Sequence, residues 1–179
     1  MQHLLLLVIA LLVIGLAFTV VKWPGGAHMT FSQHAATSRW SKIYYSLLFM
    51  ITLPLLMWFF AGWFVPEKAL PAAFLWFAGI AVAFQILCTW VPEEGGTKTK
   101  VHRALTAISG IAMLPLVIII ATSSNLPGLV NIVAWVGLCV MTALLGVALK
   151  NQKGFRWALF LQIGYYATFF AVLLAANYH

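Results

Sequence analysis

The chain has 179 residues, of which 64% are hydrophobic and 7% charged, against roughly 25% charged in a water-soluble domain. No aqueous globular fold hides that much apolar surface. Ten Lys and Arg against three Glu give a formal net charge of +7, yet the basic residues stand singly at the ends of apolar runs and form no dense patch, which excludes a nucleic-acid partner.

A bilayer core of about 30 Å is crossed by roughly 20 apolar helical residues. Six segments meet that demand, at 4–21, 43–65, 71–91, 103–122, 128–149 and 157–176. The expected fold is therefore all-α, a polytopic transmembrane bundle of six helices forming a single domain over residues 1–179. The first segment lacks a basic leader and an A-x-A cleavage pattern before Lys22, so it reads as a retained helix rather than a signal peptide.

The loop that follows opens on Trp23-Pro24-Gly25-Gly26 and contains Thr30-Phe31-Ser32-Gln33. The latter has the form of a capping box, in which a Thr hydroxyl and a Gln side chain satisfy free backbone groups at a helix start. A helical turn is expected from about Phe31. Pro54 lies in the second segment, twelve residues beyond Lys42, and Pro115 lies in the fourth, twelve beyond Arg103; each should weaken or kink its helix. The third segment ends on Trp90-Val91-Pro92-Glu93-Glu94-Gly95-Gly96, and here too a His and a basic residue follow. The two hairpins read either as old copies of each other or as chance recurrence of Pro and Gly, which are common in membrane proteins. Gly79-x-x-x-Ala83 and Thr142-x-x-x-Gly146 offer small faces for close helix packing. Cys88 and Cys139 fall inside spans, where they act as weakly polar hydrophobes, and no disulfide framework is expected.

Orientation follows from the Lys and Arg residues, which cytoplasmic loops hold in excess. Loop one is flanked by Lys22, Arg39 and Lys42, loop three by Lys98, Lys100 and Arg103, and loop five by Lys150, Lys153 and Arg156; Lys68 alone lies on the other side. This nine-to-one split predicts both termini outside, N-out and C-out, in a multi-pass protein of the cell membrane. Trp23, Trp40, Trp63, Trp90 and Trp157 lie near span ends, where amphipathic rings favour the interface.

Intramembrane ionisable groups mark ion pathways and proton relays, and the predicted spans carry none between their ends. Their polar side chains include Gln85, Asn131, Gln162, Tyr165 and Tyr166. Gln85 and Gln162 would either line a polar pocket or hydrogen-bond to neighbouring helices. His3, His28, His34, His102 and His179 lie at span ends or in loops, which argues against bis-His haem ligation. No H-E-x-x-H or G-x-S-x-G motif is present, and neither a metal nor another cofactor is expected. One constellation remains: Glu93 and Glu94 close the third span, and His102 opens the fourth eight residues after Glu94. A tight bend at Gly95-Gly96 would bring a carboxylate beside the imidazole, to bind a metal, orient a proton or hold a lipid headgroup. Alternatively, the glutamates pair with Lys98, Lys100 or Arg103 while Thr99 caps the helix and His102 faces water.

Trp90-Val91-Pro92-Glu93-Glu94, a polar stretch, Val101-His102 and Ala104 resemble the signature of an uncharacterised family of six-span bacterial and archaeal membrane proteins. That family, a domain of unknown function, is similar in plan to the DRAM/Sfk-like proteins. Val91 stands where the family has Phe, and the match covers about 20 residues plus the span plan. The resemblance implies six helices and a functional interest in Glu94 and His102, without a substrate. Two classes stay open: a non-enzymatic protein (lipid-interacting, scaffold or small-solute permease component), or an enzyme or metal- or headgroup-binding protein using Glu94 and His102. A cavity lined by Gln85, Gln162 and the tyrosines would favour the first. Membrane lipids are the expected partners, with a second copy of the chain or another membrane protein left open.

Overall fold

In lipid only a helix satisfies every backbone N–H and C=O group within one segment. The computed structural model accordingly shows helices and, among the described residues, no strand; it describes residues 1–26, 28–91, 93, 95–150 and 157–179. The helices are α1 (Leu4–Lys22), α2 (Phe31–Ala35), α3 (Arg39–Phe59), a π-helical turn (Phe60–Phe64), α4 (Val65–Glu67), α5 (Ala73–Trp90), α6 (Gly96–Ala121), α7 (Gly128–Lys150) and α8 (Ala158–Tyr178). With α3, the π turn and α4 taken as one rod, six helices are long and apolar enough to cross a membrane.

Two of them start earlier than hydropathy predicts, because capping and not apolarity decides where a helix begins. α3 opens at Arg39 instead of residue 43, since the Ser38 and Ser41 side chains form a reciprocal capping box. α6 opens at Gly96 instead of Arg103: Gly95 adopts φ +99° and Gly96 φ +58°, values glycine tolerates, and the Gly95 N–H donates to Thr99 Oγ1 at 2.8 Å. The Thr30–Gln33 box is present with both of its bonds and starts α2 at Phe31.

The two proline-containing helices differ beyond their prolines. α3 passes into the π turn shortly after Pro54, whereas α6 stays α-helical from Pro115 to Ala121. The wider turn sets Phe60 and Phe64 against Phe74 of α5, with Phe60 and Phe74 edge to face at 5.2 Å, and Phe59 packs on Phe60 and Phe64; all four rings are fully buried.

Neighbouring helices pack in the order α1, α3, α5, α6, α7, α8. The two chain ends meet: Gln2 Nε2 donates to the Asn177 carbonyl, and Asn177 Nδ2 donates to the Gln2 carbonyl. Asn125 Nδ2 donates to the Ala69 carbonyl, joining loops two and four. Loops one and three are joined at the other end through Thr30, Ser32 and Glu93. Glycines allow close approach at Gly15, where a Cβ would fall 2.5 Å from Leu48, and at Gly137, where it would fall 2.5 Å from Val172. The expected small faces do not pack inside the molecule: a Cβ at Gly79 or Gly146 would meet nothing within 4 Å, because both glycines face away from the neighbouring helices.

Candidate functional site

The short helix α2 organises the end of the bundle that carries loops one and three. Its cap residue Thr30 accepts the Gln33 N–H, and Thr30 N–H donates to Gln33 Oε1 at 2.8 Å. The hydroxyls of Thr30 and Ser32 both donate to Glu93 Oε2, at 3.1 and 3.2 Å. Arg103 Nε of α6 donates to Glu93 Oε1 at 3.0 Å. The Glu93 side chain is only 4% exposed, so its charge is held by one cation and two hydroxyls rather than by water, as a buried carboxylate requires. The free N–H of Phe31 at the start of α2 donates to Gln162 Oε1 of α8 at 3.0 Å. Two distant parts of the chain, at Glu93 and Gln162, are thus tied to one helical turn.

His102 sits beside this cluster and makes different bonds. Its Nδ1 lies 2.7 Å from the Val91 carbonyl and 3.1 Å from the Cys88 carbonyl. A carbonyl only accepts, so Nδ1 carries the proton. Val91 is the C-cap of α5 and its N–H already donates to the Cys88 carbonyl; the imidazole closes the end of that helix by supplying a donor to the Val91 carbonyl, which lies past the last helical turn. Cys88 Sγ lies 3.4 Å from His102 Nε2 and 3.0 Å from Thr106 Oγ1. The ring is buried, not turned to water as the alternative sequence reading expects.

His34 repeats the arrangement. Its Nδ1 is 2.9 Å from the carbonyl of Trp23, the C-cap of α1. In both hairpins the His lies eleven residues beyond the capped carbonyl. His34 Nε2 is buried without a partner among the described residues.

The structure brings Glu93 to Arg103 and not to His102, one of the two sequence alternatives. Glu94 lies outside the described residues. Gln162 holds α2, and Gln85 of α5 accepts the Tyr166 hydroxyl at 3.3 Å; Tyr165 OH donates to the Gly110 carbonyl at 2.6 Å. Thr30 and Ser32 were visible in the sequence only as helix-start residues, and nothing local marks them as ligands of a carboxylate sixty residues away. Among the described residues no three His, Cys, Asp or Glu side chains gather to hold a metal.

Two cavities adjoin these residues. One, of about 570 Å³, is lined at the loop end by Glu93, Lys100, His102 and Arg103 and deeper by Leu144, Leu145 and Leu161 together with Gln162 and Tyr165. The other, of about 620 Å³, runs between α1 and α8, with Gln85 and Tyr166 on its wall. Tyr166 lines both. Compared with known proteins, the chain matches no protein family, no curated protein and no solved structure.

Proposed function

We propose that this multi-pass membrane protein is non-enzymatic and binds one amphipathic lipid from the cytoplasmic leaflet in the 570 Å³ cavity. One observation carries the reading: the lining changes from charged and hydroxyl side chains at the loop end to leucines of α7 and α8 within a single cavity, the polarity gradient of a lipid itself. The Lys and Arg distribution puts this end at the cytoplasmic surface. Lys100 is exposed there and favours an anionic headgroup, since the Glu93 charge is already matched by Arg103 and two hydroxyls. The apolar walls then take an acyl chain. An enzymatic role for His102 has less support, because its Nδ1 proton is committed to the end of α5.

The test is native mass spectrometry of the purified protein with phosphatidylglycerol or phosphatidylcholine added. Phosphatidylglycerol is expected to be retained preferentially. Lys100→Gln should reduce that preference about fivefold, on the basis of about 1 kcal/mol per basic residue at an anionic surface. Equal retention of both lipids by wild type and variant would overturn the reading.

A further inference from the structure

The second cavity differs in kind from the first. Its volume, about 620 Å³, lies within the range of small-ligand sites. Among the described residues no charged side chain lines it; its walls are aliphatic and aromatic residues of α1, α3, α5, α6 and α8, interrupted by Gln85, Ser109 and Tyr166. Ser109 is accounted for, since its hydroxyl donates to the Ala81 carbonyl at 2.9 Å. Tyr166 is accounted for by its bond to Gln85 Oε1.

Gln85 is not. Its side chain makes that one bond among the described residues, which leaves the amide nitrogen without a partner in a residue only 6% exposed. The nitrogen is not sealed inside the protein but borders the cavity, and an amide that faces an apolar cavity without an acceptor is costly. Water is a poor remedy, because an ordered water needs two to four polar partners and the surrounding wall is apolar. Gln85 lies five residues from Trp90 at the end of α5, about 8 Å along the helix, below the level at which a glycerolipid carries its headgroup. α1 and α8 are tied together at the chain ends by Gln2 and Asn177, and the cavity wall includes exposed residues of both helices, Val13 and Val21 of α1 and Ala167 and Ala171 of α8.

We infer that this cavity is a second lipid site, distinct from the headgroup site, that takes an uncharged lipid carrying a single oxygen acceptor, such as a long-chain alcohol or ketone. The oxygen accepts the Gln85 amide N–H, and the hydrocarbon lies along the gap between α1 and α8. The absence of any cation or anion from the wall selects against fatty-acid carboxylates and phospholipid headgroups. The amide nitrogen carries two N–H donors, and one ligand oxygen pairs one of them while leaving the rest of the ligand hydrocarbon.

The test uses the full chain in phosphatidylcholine nanodiscs with a diazirine-bearing hexadecanol, the crosslinked peptides being mapped by mass spectrometry. Labelling is expected on α1 and α8. Unlabelled 2-hexadecanone should compete about three- to tenfold better than hexadecane, the range one neutral hydrogen bond contributes. Gln85→Leu should erase that difference while leaving competition by hexadecane in place. Ala167→Phe, at an exposed position on the cavity wall, should abolish labelling of α1 and α8 without lowering the thermal midpoint. Equal competition by ketone and alkane in wild type would mean that membrane chains merely fill a gap, and would overturn the proposal. So would labelling that maps away from α1 and α8. The wild-type comparison and Ala167→Phe decide the matter even if Gln85→Leu does not fold, and neither depends on which phospholipid the first cavity holds.

Discussion

Two side chains that look alike in the sequence, an acid and an imidazole a few residues apart, have separate jobs. Glu93 fastens α2 to α6, and Glu93→Ala is expected to lower stability by about 1–3 kcal/mol, the range for charge-assisted hydrogen bonds. The figure is held to the low end because Arg103 is 39% exposed and solvent screens its share. Glu93→Gln should cost less, as an amide oxygen still accepts from Thr30 and Ser32. Thermal unfolding in one detergent ranks the pair, and equal losses would show that the ion pair with Arg103 matters more than the hydroxyls. His102→Ala leaves the half-buried Val91 carbonyl without its donor and should cost about 1 kcal/mol whatever lipid is present. A variant that unfolds at the wild-type temperature would remove His102 from its capping role.

At the level of helices, close approach is confined to a few small residues. Gly137→Ala places a methyl 2.5 Å from Val172 Cγ2, on a side chain that is 1% exposed and has no flexible end to swing away. A loss of about 1–3 kcal/mol is expected from such overpacking. Gly79→Ala, in open space, should be neutral or stabilise α5 by up to about 1 kcal/mol through helix propensity. Melting both variants side by side checks the contrast, and a loss at Gly79 would point to a partner helix from another chain. The hairpins also bear on the duplication read from Trp-Pro-Gly and Pro spacing. Each has a buried His whose Nδ1 closes the helix eleven residues before it, an equivalence unrelated to proline depth. The π turn after Pro54, absent from α6, is where the two hairpins differ.

For the whole molecule, both chain ends and loops two and four lie at one end, while loops one and three lie at the other. This grouping matches an even number of crossings, and the Lys and Arg bias then predicts that the end with loops one and three faces the cytoplasm. Single cysteines at Thr97 and Glu67, both exposed, in a Cys139→Ala background test it. An impermeant maleimide added to intact cells should label Glu67→Cys and spare Thr97→Cys, and the reverse pattern would invert the protein. Cys88 is buried and should stay unlabelled.

What the chain's linear order determined by itself is local: six apolar runs long enough to cross a bilayer, the capping box that starts α2, the glycine bend before α6, and the basic residues gathered on alternate loops. Each depends on neighbours within a few positions and on the length scale of the membrane. Which face of each helix turns inward was not legible, because lipid is as apolar as the protein interior and a span leaves no polar stripe to mark its outside. The pairing of Glu93 with Thr30 and Ser32, the bond from Phe31 to Gln162, and the bond from Tyr166 to Gln85 therefore came only from the tertiary structure. They join residues dozens of positions apart, and only the packing order of the helices brings those residues within hydrogen-bond distance.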